Sequence, residues 1–188
     1  MPFTATHLPG VIIFEPAVYP DERGFFFESY NKRLFHTNQI FNEFVQDNQS
    51  FSSYGVIRGL HYQREPQAQA KLVRVLLGSI LDVVVDLRQG SPGFGKSYSI
   101  ELSAENKKQI FIPRGFAHGF SVLSETAEIS YKCDQFYNKQ SEAGIRYNDN
   151  LLKIDWQVPA DKALISVKDA QLPVFNPSIA DFIYKTDA

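Results

Sequence analysis

An all-β sandwich or barrel is the fold class this sequence predicts, and three observations predict it. Short apolar or alternating runs of strand length recur along the whole chain. Glycine, proline and polar turn residues separate them at close spacing. Phe and Tyr are abundant, at 16 and 9 residues, and aromatic rings pack well on pleated surfaces. With no internal repeat, low-complexity tract or linker, residues 1–188 read as one domain.

Taken in order, Val11, Ile12, Ile13 and Phe14 make a strand closed by Pro16. Asp21, Glu22, Arg23 and Gly24 form a charged turn, after which 25–30 resumes as a strand. Residues 31–40 have mixed polarity and no strong breaker, which predicts a short helix. The run 44–50 starts apolar and ends polar, as a strand reaching a rim does. Gly55, Val56 and Ile57 open a strand that runs into Arg58, Gly59, Leu60 and His61. A polar loop broken by Pro66 follows, and Lys71 begins the next strand, through 77. Gly78 and Ser79 turn the chain into 80–88. There Leu81, Val83, Val85 and Leu87 share one face, and Asp82, Val84 and Asp86 the other. Residues 89–95 are a loop, 98–102 a half-buried strand and 109–113 a strand ended by proline. Residues 119–123 and 127–131 look like a hairpin across Ser124, Glu125 and Thr126. From Asn148 the pattern weakens, and Trp156, Pro159, Pro173 and Pro177 suggest irregular packing with one short helix.

Composition narrows the function. The net charge of -2 gives no pull toward nucleic acid or anionic membrane. One cysteine, Cys133, rules out an intrachain disulfide or a multi-cysteine metal cluster and fits a reducing cytoplasm. The opening MPFTATHLPG has no basic start followed by an apolar core, so no signal peptide is expected. No apolar run approaches the ~20 residues of a membrane helix.

The polar groups from 58 to 74 are more telling. Arg58, His61, Lys71 and Arg74 lie on successive strands around one loop. Folding does not require them there, whereas a site that binds an anion and moves a proton does. His61 is the best general base, because an imidazole titrates near neutrality. Such a base needs an orienting carboxylate, and Asp169 is a candidate whose other reading is a turn cap. Tyr131 can donate a proton from the opposite face, or be a core aromatic. Arg23, Arg58, Lys71, Arg74, Arg114 and Lys168 can contact an anionic group, or be solvated surface charges. Gln46 and Asn48 share a strand face and can read a base edge or sugar hydroxyls, or make ordinary loop hydrogen bonds. Phe26, Phe120 and Tyr137 can stack on a planar ring. No P-loop, dinucleotide glycine signature, nucleophile elbow or zinc spacing occurs.

Pro113-Arg114-Gly115-Phe116-Ala117-His118 has the Pro-x-Gly-x-x-His spacing that resembles the second motif of the cupin superfamily, a double-stranded β-helix or jelly roll. Metal-binding cupins carry two further histidines where this chain reads His61-Tyr62-Gln63, and Gln63 is a poor ligand in place of imidazole. His118 is either a packed core residue or a substrate contact.

Further blocks extend the resemblance: Arg23-Gly24-Phe25-Phe26, Val45-Gln46-Asp47-Asn48, Arg58-Gly59-Leu60-His61, Lys71-Leu72-Val73-Arg74 and Ser166-Val167-Lys168-Asp169. In that order, and with the Pro113 block, the chain resembles the dTDP-4-dehydrorhamnose 3,5-epimerases over nearly its whole length. The resemblance implies a cofactor-free, metal-free cupin jelly roll with short peripheral helices. It would act on dTDP-4-dehydro-6-deoxy-D-glucose in dTDP-L-rhamnose synthesis. By position, His61 is the base, Asp169 its orienter, Tyr131 the acid and Lys71 the enolate stabiliser, with His118 near the sugar. Arg23 and Arg58 would hold the diphosphate. Glu28, Gln46, Asp47 and Asn48 would help bind the nucleotide, Phe26 and Tyr137 would be aromatic contacts, and Glu142 and Lys168 fall at further binding positions. The resemblance also implies a homodimer whose N-terminal strands cross to the partner. The competing readings are an epimerase of C3 or C5 alone, a metal-dependent cupin, and a non-catalytic sugar-nucleotide binding protein.

Overall fold

The computed structural model describes residues 2–185, so the ends of the expected 1–188 domain, Met1 and 186–188, lie outside the described residues. Strands β1 (Phe3–Ala5), β2 (Ile12–Phe14), β3 (Val18–Asp21) and β4 (Gly24–Phe27) precede helix α1 (Lys32–Thr37). Then come β5 (Gln46–Ser53), β6 (Val56–Gln63), β7 (Lys71–Leu77), β8 (Ser79–Asp86), β9 (Arg88–Gln89) and β10 (Ser97–Ser103). They are followed by β11 (Gln109–Ile112), β12 (Phe116–Val122), β13 (Thr126–Cys133), β14 (Glu142–Gly144) and β15 (Leu164–Ile165). Helix α2 (Val167–Ala170) and β16 (Phe182–Ile183) end the series.

Two sheets face each other. One runs β1-β2-β11-β7-β13-β5, and the other β10-β8-β12-β6-β14 with β15 beside β6. Val73, Ile110 and Ile129 from the first sheet meet Ile80, Val84 and Phe120 from the second in the core between them. Phe35 of α1 covers the outer face of the first sheet with Phe14, Leu72 and Phe111. The C-terminal segment supplies Trp156 and Phe182 to cover the second, over Leu81, Val83 and Val85. β8 is therefore buried on both faces, which is why its sequence is nearly continuous in apolar residues.

Most strands stand where the sequence put them, and three details differ. Residues 119–123 and 127–131 are strands but not a hairpin. β12 pairs with β6 and β8, while β13 pairs with β5 and β7, so both edges of each are already occupied. The chain between them arches from one sheet to the other, with Ser124 Oγ accepting from Ser79 N at 2.8 Å. Gly78 packs under this arch at φ +73°, where a Cβ would sit 2.0 Å from Thr126 O, so only glycine fits. The strand expected over 25–30 ends at Phe27, because β4 pairs only with the equally short β3. The strand expected over 44–50 begins at Gln46 and runs to Ser53, the length over which β13 supplies partners. The expected helix is α1, capped by the Asn31 side chain, which accepts from Arg33 N and Leu34 N.

Candidate active site

Backbone comes first. β6 and β12 approach closely where two glycines face: a Cβ on Gly59 would lie 2.5 Å from Gly119 Cα. The register between the strands shifts between His118 and Phe120, and the shift frees a peptide group from the ladder. The Gly59 N–H donates to Asp169 Oδ2 at 3.2 Å. At the start of α2, Ser166 is the cap, accepting from Asp169 N at 3.0 Å. The Asp169 carboxylate, nearly buried, is left for His61, whose Nε2 lies 2.7 Å from Oδ1. Burial alone would raise the Asp169 carboxyl. Hydrogen bonds from His61, Gly59 and Ser166 outweigh it and hold the group below the usual carboxylate range. A carboxylate only accepts, so Nε2 carries a proton, and in the neutral imidazole Nδ1 then holds the lone pair.

His61 projects from one sheet into a cavity of ≈ 180 Å³ whose other walls include Lys71 and Tyr131 from the facing sheet. Lys71 Nζ stands 5.8 Å from the centre of the Tyr131 ring. Burial pushes the Lys71 ammonium down and the Tyr131 phenol up, so the phenol keeps its proton at neutral pH. Gln46, Asn48, Tyr137 and Glu142 also line the cavity. Lys168 donates to Glu142 Oε1 at 2.6 Å and the Tyr137 hydroxyl to Oε2 at 3.2 Å. The Lys168 bond holds the Glu142 carboxyl low. On its other side, His61 borders a groove of ≈ 480 Å³ lined by Arg58, Ser166 and Lys168.

The remaining expected residues lie elsewhere. Asp47 falls on the opposite face of β5 from Gln46 and Asn48, and binds Lys132 Nζ at 2.9 Å. His118 is the Cα partner of His61 across the strands but does not line the cavity; its Nε2 is 2.8 Å from Asp82 Oδ2. Burial pushes His118 down, against the pull of Asp82. Arg23, Phe26 and Glu28 belong to the β3–β4 hairpin and the segment after it, and line neither space. Arg23 is exposed and paired with Asp21 at 2.6 Å. Gln63 and Gln69, which line the cavity, escaped the reading, as did Asp82 as the buried partner of His118. The signal for Asp82 was there: a carboxylate inside an apolar, doubly buried strand needs a partner. Among the described residues no three His, Cys, Asp or Glu side chains group as a metal centre requires.

The fold and this cavity define a jelly-roll enzyme with an imidazole on one sheet and a phenol and a cation on the other. Residues 5–177 match the family model described as dTDP-4-dehydrorhamnose 3,5-epimerase. The chain belongs to that family of isomerases. It is 54% identical over 178 residues to a dTDP-4-dehydrorhamnose 3,5-epimerase of Pseudomonas aeruginosa, covering 93% of this chain and 96% of the relative. Among solved structures it is similar to the Elizabethkingia anophelis enzyme of the same name, at TM-score 0.89 and 55% identity over 92% of this chain and 95% of that one. It is also similar to a dTDP-6-deoxy-D-glucose-3,5-epimerase from Legionella pneumophila in complex with dTDP-4-keto-L-rhamnose, at TM-score 0.92 and 46% identity over 98% of each chain.

Proposed function

We propose that this chain converts dTDP-4-dehydro-6-deoxy-D-glucose to dTDP-4-dehydro-L-rhamnose by inverting C3 and C5, in dTDP-L-rhamnose biosynthesis. One observation carries the reading: His61, held by Asp169, shares a cavity with Lys71 and Tyr131 of the facing sheet. The C4 ketone acidifies the hydrogens on C3 and C5. His61 Nδ1 takes one of them, and the C–H electron pair moves into the C–C bond as the carbonyl becomes an enolate oxygen. Asp169 stabilises the imidazolium. The Lys71 ammonium, poorly solvated in the cavity, gains most when that negative oxygen forms, so its help is concentrated in the transition state. The Tyr131 hydroxyl then gives its proton to the same carbon from the other side. Solvent reprotonates the phenolate and takes the proton from His61, which closes the balance.

Arg58, Lys168, Gln46, Asn48, Tyr137 and Glu142 would bind the nucleotide and diphosphate from the cavity mouth and the groove. Arg23, Phe26 and Glu28 complete the set in a homodimer, each hairpin serving the partner's site. The exposure of Tyr19 at 64% and Phe26 at 71%, on a hairpin paired only with itself, supports this. Asp47 and His118 would act from behind the walls. The chain would work as one domain in the cytoplasm, and the free, buried Cys133 agrees with a reducing compartment.

The decisive experiment is solvent deuterium uptake with product NMR. Label at both C3 and C5 is expected. Label at one carbon makes the chain a mono-epimerase, and label at neither ends the proposal. For the dimer, mixing Arg23→Ala with His61→Ala protein should restore activity that neither has alone. Additive inactivity in a verified mixed dimer would mean that the hairpin serves its own subunit.

A further inference from the structure

Tyr137 lines the cavity with an exposed ring, yet the segment that carries it has no regular structure. Residues 135–138 follow β13 without a sheet partner, so their peptide groups need other company. Three glutamine side chains provide it. Gln69 Nε2 donates to Gln135 O at 2.7 Å. Gln63 Nε2 donates to Phe136 O at 3.2 Å and to Gln67 O at 2.6 Å, while its Oε1 accepts from Asn138 N at 2.6 Å. Gln46 Oε1 accepts from Tyr137 N at 3.0 Å, and its Nε2 donates to Asn48 Oδ1 at 3.0 Å. Four consecutive residues are thus held through side-chain amides from β5, β6 and the loop before β7.

We propose that Gln63 and Gln69 are positioning residues that, with Gln46, clamp residues 135–138 and so fix the Tyr137 ring over the cavity. Gln63 is 95% removed from solvent in effect, with only 5% exposure, and both ends of its amide are used on backbone. Only a side chain that donates and accepts at once can do this, which accounts for glutamine at that place. Gln46 is likewise engaged at both ends, and its second Nε2–H remains for a ligand in the cavity it lines. The consequence for nucleotide affinity rests on the reading of Tyr137 as a dTDP contact; the clamp itself does not.

Two measurements separate the parts. In ligand-free protein, Gln63→Met and Gln69→Met should speed amide hydrogen exchange at Tyr137 and Asn138 by about 10-fold, with β5, β6 and β13 unchanged. Unchanged exchange at 135–138 overturns the clamp, and Gln69→Met keeps the test available if Gln63→Met does not fold. Calorimetry with dTDP then gives the linkage. Each variant should weaken binding by about 10-fold with kcat within about 3-fold, and Gln63→Glu, which keeps only the acceptor, should recover less than half of the loss. In a Tyr137→Ala background the same substitutions should cost nothing more, because positioning residues act through the ring they hold. Equal losses in both backgrounds would make the glutamines direct contacts and overturn the positioning role. If Tyr137→Ala leaves dTDP affinity intact while exchange still accelerates, the nucleotide reading of Tyr137 fails and the clamp stands.

Discussion

Two histidines side by side on β6 and β12 each pair with a carboxylate, from α2 and β8, and only one faces the cavity. His61 with Asp169 and His118 with Asp82 have nearly the same geometry, 2.7 and 2.8 Å. Their surroundings differ: the His61 side chain is 34% exposed and that of His118 8%. Chemistry needs a nitrogen that substrate can reach, so the first pair suits proton transfer. The second pair is buried, and burial, with the Lys71 charge nearby, disfavours the charged imidazole. The comparison teaches that pairing with a carboxylate does not mark a base; access does.

The largest expected effect tests that contrast directly. His61→Asn should lower turnover by about 10⁴-fold and remove deuterium uptake at both carbons, while His118→Gln lowers kcat/KM by no more than about 10-fold. The reverse order, measured in the same assay, would break the comparison. Asp169→Asn should follow, with a loss of about 10²-fold as the imidazole loses its oriented tautomer. Asp82→Asn should instead register in denaturant melts, by about 3 kcal/mol, since it unpairs a buried group. Tyr131→Phe should leave proton loss to solvent near normal and slow product formation by about 10²-fold; full turnover would reassign the acid.

The smallest effects are in pH. The His118 imidazole titrates below its ordinary 6.5 in the fold. Between those values the unfolded chain binds the extra proton, so stability should fall as pH drops below 6.5 and His118→Gln should flatten that fall. Lys71 is likewise depressed from 10.5. If its charge serves the enolate, kcat/KM should decline on the alkaline side below pH 10.5, and a Lys71→Arg variant that retains activity should push the decline upward.

Sequence alone went far with faces and less far with partners. Alternation along 80–88 separated Leu81, Val83 and Val85 from Asp82, Val84 and Asp86, and the two cores take up those faces. By the same parity Lys132 faces away from Tyr131, where it binds Asp47. What periodicity cannot carry is which strand lies beside which. It made β12 and β13 a hairpin because a short turn joins them, whereas their hydrogen-bonding edges belong to strands far away in the chain. Asp169 was ambiguous for a related reason: nothing between 61 and 169 says that the Gly59 peptide turns out of its ladder to receive it. Gln63 and Gln69 were missed because an amide that ties loops together looks, in sequence, like any polar residue.

The arches at 54–55, at Gly78 and at 123–125 send each strand to the sheet opposite its predecessor. A growing polypeptide cannot zip such strands together as they emerge; it must hold them until distant segments arrive. Since β6 waits for β12, and His61 for the residue at 169, no early fragment can work or even shield its apolar faces. Assembly should therefore be slow and strongly all-or-none, with the greatest danger of clumping before the segment that carries Asp169 and Phe182 is available to cover the second sheet.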